Sequence, residues 1–171
     1  MRRNHRFTVE RIAQCGLLTA MMLVLGFIES LLPVDAGVPG IKLGLSNGVL
    51  LFALYMMDAH TAFVLMVVKV LLSGLLFGGV SAMMYAMAGG ICSMLGMILL
   101  KKLGFHLIVV SMLGAVLHNL GQMLLAMVIL ETDQLVYYMA ILLFVGLACG
   151  AVTGVAAKAT IGHLKKINRK K

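Results

Sequence analysis

Charge is what this sequence has least of. Asp, Glu, Lys and Arg supply only 12% of its 171 residues, against about 25% in soluble domains. Hydrophobic residues make up 62% and the mean hydropathy is +1.08, so there is too little charge for an aqueous surface. The three cysteines, Cys15, Cys92 and Cys149, stand far apart in apolar segments and form no CxxC pair. That excludes a disulfide framework or a cysteine metal site and leaves three small buried hydrophobes. Acidic residues number six, and Asp35, Asp58 and Asp133 are isolated from one another. A paired-aspartate site for magnesium and diphosphate is therefore excluded. No GxxxxGK[ST] loop occurs, which excludes P-loop ATP hydrolysis, and no Ser/His/Asp arrangement is apparent. An enzyme acting alone is not expected, nor is a metal or cofactor, and any energy coupling must come from a partner.

What is present is a series of apolar runs of membrane-spanning length. They are continuous rather than alternating, which excludes a β-barrel. The expected fold is an all-α integral membrane protein, a six-helix transmembrane bundle. Its spans are Ile12–Leu32, Leu43–Met57, Thr61–Leu76, Ser81–Leu100, Leu107–Leu130 and Leu135–Ala157. Spans two and three are short enough to be tilted or re-entrant. Both prolines fall in the loop 33–40 after span one, and Phe77-Gly78-Gly79 breaks the chain after span three. Residues 1–11 and 158–171 form basic ends around a membrane domain at 12–157. No small-x-small cleavage pattern follows the first run, so it reads as a retained span. All of the 14 Lys and Arg residues except Lys42 and Lys69 fall on one side of this arrangement. The positive-inside rule places that side, with both termini, in the cytoplasm, as expected of a multi-pass plasma membrane protein. The net charge of +8 is explained by anionic lipid and calls for no nucleic acid.

Lys69 lies in the middle of an apolar run, roughly 12 Å from either end at about 1.5 Å per residue. A charge there costs on the order of 3 kcal/mol against lipid, so it should face protein or water. Orientation gathers other polar residues in the central or outer half of the membrane: Glu29 and Ser30 near the outer end of span one, Lys42, Ser46 and Asn47 opening span two from the outer side, and His118, Asn119 and Gln122 halfway along span five, at the depth of Lys69. These suit an outward-facing pocket for a ligand with carboxylate, carbonyl or phosphate oxygens. The alternative is that Lys69 pairs with Glu29 and the His-Asn-Gln group bonds between helices. Small residues recur at four-residue spacing in Gly146, Gly150 and Gly154, in Gly74 and Gly78, and in Gly16 and Ala20. The first two sets read as helix packing and the last as a face for a partner helix.

Four segments together resemble a known family: Glu29-Ser-Leu-Leu-Pro33, Pro39-Gly-Ile-Lys-Leu-Gly-Leu-Ser-Asn47, Leu75-Leu-Phe-Gly-Gly79 and Ala115-Val-Leu-His-Asn-Leu-Gly-Gln122. The chain resembles the bacterial Gx transporter proteins, also labelled heptaprenyl diphosphate synthase component I, from about Arg11 to Ala157. The transporter label implies kinship with S components of energy-coupling-factor importers, which bind substrate outside and need a membrane scaffold and ATPases. Glu29, Lys42, Ser46, Asn47, Lys69, His118, Asn119 and Gln122 would then line the ligand site, and Gly16 and Ala20 would meet the scaffold. The synthase label implies an accessory membrane subunit beside a prenyl synthase in heptaprenyl diphosphate and menaquinone synthesis. A further likeness, to components of quinone- and flavin-linked electron transfer, implies an anchor for a redox partner. The expectation taken forward is a substrate-binding transport component without its own ATPase, its small-molecule ligand unknown.

Overall fold

Apolar side chains surround the helices on all sides instead of forming one stripe. Leu75, Val128 and Phe144 are each at least 73% exposed, which only a lipid environment tolerates at such density. The computed structural model describes residues 8–31 and 44–168. Lys42, the loop 33–40 with Asp35, the arginines at 2, 3 and 6, and residues 169–171 lie outside the described residues. Among the described residues there is no strand, and six α-helical segments follow in order: α1 (Val9–Leu31), α2 (Asn47–Met56), α3 (Ala59–Ser73), α4 (Gly79–Lys102), α5 (Leu107–Leu130) and α6 (Leu135–Asn168).

Four helical stretches are long and apolar enough to cross a membrane: Val9–Leu31, Ala59–Lys102, Leu107–Leu130 and Leu135–Ile167. That is the build of a membrane protein, but six full-length spans do not follow from it. α2 has ten residues, about 15 Å of helix against a hydrocarbon core of about 30 Å. The expected span Leu43–Met57 is shortened because Gly44, at φ +86°, turns the chain and Asn47 N–H then closes onto its carbonyl at 2.9 Å. α3 and α4 run together through a π-helical turn, Gly74–Gly78. They are nonetheless folded back on each other. A Cβ placed at Gly74 would lie 2.7 Å from Met83 Cβ, and one at Gly90 2.7 Å from the Met66 sulfur. The reversal falls at Gly79, whose φ of +74° suits glycine. α6 continues past Ala157 to Asn168, since neither lysine nor an isolated glycine stops a helix.

α5 is the central helix and packs along both α4 and α6. Absent side chains allow the approach. A Cβ at Gly150 would lie 2.6 Å from the Met112 α-carbon, and one at Gly154 2.8 Å from Ser111 Cβ. On the other face, a Cβ at Gly121 would meet the Ala88 carbonyl oxygen at 2.9 Å and one at Gly89 the His118 carbonyl oxygen at 2.5 Å. α1 leans on α3 and touches α2 more lightly.

One end of the bundle is tied by charge. Asp58 caps α3, accepting from Thr61 N–H at 2.8 Å and from the Thr61 hydroxyl at 2.9 Å. Arg11 of α1 donates to both Asp58 and Thr61. Lys101, in the last turn of α4, donates to the Leu54 carbonyl and sits 4.8 Å above the Tyr55 ring. The clasp joins α1, the α2–α3 turn and α4. Burial acts to raise the Asp58 carboxyl, but the Thr61 hydrogen bonds and the Arg11 charge outweigh it and hold the group below its ordinary range.

Candidate functional site

The polar residues converge where α2 begins. Gly44 N–H donates to the Glu29 carboxylate near the end of α1, and Glu29 is only 5% exposed. The acid is therefore held by the turn that leads into α2, two residues before the N-cap Ser46, on the side of the helix's positive end. Gly44 also makes room for two side chains. A Cβ there would lie 2.8 Å from Asn47 Nδ2 and 3.4 Å from His118 Cδ2. His118 and Gln122 are one turn apart on α5, and their side-chain nitrogens meet at 2.9 Å. The heavy atoms are consistent with the amide donating to the ring Nε2, which leaves the proton on Nδ1. That Nδ1 faces the Gly89 backbone of α4 without forming a well-shaped hydrogen bond.

Lys69 comes from α3 and is 5% exposed. Its stem passes α1 at Gly26, where an added Cβ would lie 4.0 Å from the lysine Cε. Gly26 is one turn before Glu29, and Lys69 is close enough to act electrostatically on the His118 ring. Glu29 acts in the same way on Cys149 of α6. The site thus has a buried acid, a buried cation, an imidazole and two amides within one layer. Among the described residues, Ser46 Oγ, Asn47 Nδ2, His118 Nδ1 and Asn119 Oδ1 are buried without a hydrogen-bond partner. Buried polar atoms are usually paired, so Asn47 Nδ2 beside Gly44 and Nδ1 of its neighbour His118 mark a place built to meet something else, while Asn119 Oδ1 lies on the α6 side.

The sequence-derived residues separate into groups. Glu29, Asn47, His118 and Gln122 meet around Gly44, with Lys69 beside them and Ser46 buried at the start of α2. Asn119 turns away and donates to the Leu142 carbonyl of α6 at 2.8 Å. Gly146 leaves space for that amide, 2.7 Å from where its Cβ would be. Gly16 and Ala20 are exposed on α1, and nothing lies within 4 Å of a Cβ at Gly16. Gly74 packs against Met83, while Gly78 meets the Ser73 carbonyl and Ala82. Sequence reasoning overlooked Gly26, Gly44 and Gly89, although Gly44 directly precedes Leu45-Ser46-Asn47. It also overlooked the Arg11 clasp, of which only the Asp58-x-x-Thr61 cap is written locally.

A second feature had no signal in the sequence. α1 and α6 flank α2 without closing over it, leaving an open groove of about 430 Å³. Leu17, Met21 and Leu25 of α1, Phe52 of α2, and Val152 and Ala156 of α6 are among its walls. Thr153 also lines it, but its hydroxyl is occupied with the Cys149 carbonyl at 2.9 Å and with Ser111 at 3.2 Å. The surface offered by the groove is consequently apolar. Its volume is within the ~300–1,000 Å³ of ordinary ligand pockets.

The family model described as Heptaprenyl diphosphate synthase component I matches residues 18–160. No curated protein and no solved structure matches the chain. The matched segment runs from the middle of α1 to Thr160 of α6 and includes all or most of each helix that builds the groove and the polar layer, so the chain belongs to the heptaprenyl diphosphate synthase component I family.

Proposed function

We propose that this protein is a non-catalytic membrane subunit that works beside a prenyl-chain-lengthening enzyme and receives the growing chain in the groove between α1, α2 and α6. The observation that carries this reading is the groove itself, apolar, open to the side and about 430 Å³ in volume. It occurs in a family whose description names heptaprenyl diphosphate. Burial out of lipid brings no hydrophobic gain, so the groove would select a branched prenyl chain by shape and van der Waals contact. Charge supports the same occupant. The groove reaches Thr160, beyond which α6 carries Lys165 and Lys166 in its last turn. A diphosphate held at that level would stay in water beside cations while its chain lay in the groove.

In this reading the six helical segments form a bundle in the plasma membrane, with α2 as a half-span and the basic ends in the cytoplasm with the partner enzyme. The test is reconstitution of the catalytic prenyl synthase subunit with vesicles that contain or lack this chain. Product formation should rise when the chain is present, and Ala156→Trp, which fills the groove, should remove most of the rise. Identical output with and without the chain would refute the proposal.

The buried polar layer around Lys69 favours a second reading, a substrate-binding transport component. Affinity purification from native membranes separates the two. A membrane scaffold and two ATPases would support transport, whereas a prenyl synthase would support the accessory role.

A further inference from the structure

We propose that the buried N-terminus of α2 is an anion-binding site, occupied in this structure by the Glu29 carboxylate, and that it accepts the carboxylate or phosphate group of a small ligand when Glu29 withdraws. The inference goes beyond the prenyl groove and does not rest on it.

Three observations point the same way. First, α2 begins inside the bundle and not at its edge. Gly44, with the Asn47 amide turned towards it, lies against His118, eleven residues after the start of α5 and twelve before its end, so the site is roughly 16 Å deep by helix rise. Half-helix N-termini at such depth attract anionic groups through the helix dipole where no water competes. Here the backbone donor is Gly44 N–H in the turn leading into α2, since the N–H groups of Asn47 to Leu50 are bonded to the carbonyls of Gly44, Leu45 and Ser46. Second, an anion is already there: Glu29 accepts from Gly44 N–H while only 5% exposed. Third, the site holds more donors than that one carboxylate uses. Ser46 and Asn47 are 0% and 6% exposed, and neither Ser46 Oγ nor Asn47 Nδ2 has a partner among the described residues. The Asn47 amide is aimed at Gly44, the residue that binds Glu29. Lys69 adds positive charge to the same layer. A lone structural cap would call for no further donors. The depth excludes a lipid headgroup as occupant, which leaves a small molecule with a carboxylate or phosphate.

The test uses the full chain in lipid nanodiscs, with inorganic phosphate and acetate as probes and thermal unfolding as readout. Ligand that binds only the folded state raises Tm in a saturable way. Glu29→Gln removes the resident anion and should create a saturable rise in Tm with at least one probe, larger than in the unaltered protein. Glu29→Asp keeps the charge but shortens its reach, so it should give a smaller rise and serves if the Gln variant fails to fold. Adding Asn47→Leu to either variant should abolish the rise. No anion-dependent shift in either Glu29 variant would overturn the proposal and leave Glu29 as a helix cap. A shift that survives Asn47→Leu would also overturn it, since the anion would then be bound elsewhere.

Discussion

Adding one methyl group to a glycine should have opposite effects at Gly150 and at Gly16, although both lie on membrane helices and both belong to small-residue pairs. A Cβ at Gly150 would stand 2.6 Å from the Met112 α-carbon, 2.9 Å from the Ser111 carbonyl oxygen and 3.1 Å from Ala115 Cβ. Two of those three are backbone atoms of α5, so no side chain can rotate away. Ordinary carbon contacts are about 3.5–4.0 Å, so α5 and α6 must part by roughly 1 Å, and a gap of that size forfeits up to half of each neighbouring contact. The parting also stretches the Ser111–Thr153 hydrogen bond, already 3.2 Å long. Overpacking of this kind costs about 1–3 kcal/mol. The better helix propensity of alanine returns at most ~1 kcal/mol, so Gly150→Ala should be destabilising by about 1–2 kcal/mol. At Gly16 nothing lies within 4 Å of the added atom. Only the propensity remains, and Gly16→Ala should be neutral or stabilising by up to ~1 kcal/mol. Unfolding followed by circular dichroism in mixed micelles, with rising denaturing detergent, measures both. If the two variants shift in the same direction, the close α5–α6 contact is not what holds this bundle.

Acid should weaken the clasp at the Arg11 end. Because the folded Asp58 carboxyl lies below its ordinary value, the stability it contributes is present above about pH 4 and is lost as pH falls through the depressed folded value. Asp58→Asn should flatten that part of a Tm-against-pH curve, and an unchanged acid limb would show that Arg11 and Thr61 do not govern it. Asn119→Ala removes the 2.8 Å bond to the Leu142 carbonyl and should cost about 1 kcal/mol in the detergent titration. The same variant should leave any anion response of the Glu29 variants intact, because the Asn119 amide faces α6 and not Gly44.

The contrast between His118 and Asn119 shows what the sequence could and could not disclose. Both were legible as polar residues at mid-membrane depth, because an apolar run makes any polar residue conspicuous. The boundaries of α5 were equally plain, set by Gly104 before it and Glu131-Thr132-Asp133 after it. What neighbours in sequence cannot tell is direction. Successive helical residues point about 100° apart, so His118 reaches the Gly44 turn while Asn119 reaches α6. The shortness of α2 was legible, but where it starts was not, for a related reason. Its apolar run begins at Leu43, whereas the helix starts only at Asn47, set by a turn at Gly44 and by a bond to Glu29, fifteen residues away. The groove was invisible because it consists of contacts that α1 and α6 do not make. The glycines along α4 and α5 did carry a signal, with seven residues from Gly89 to Gly96 and from Gly114 to Gly121. A seven-residue repeat returns to nearly the same helix face after two turns, and these glycines mark the α4–α5 contact. Depth and helix identity were thus written in composition. Which residues share one site was decided by rotation about each helix axis, and that follows from where glycine lets two backbones touch.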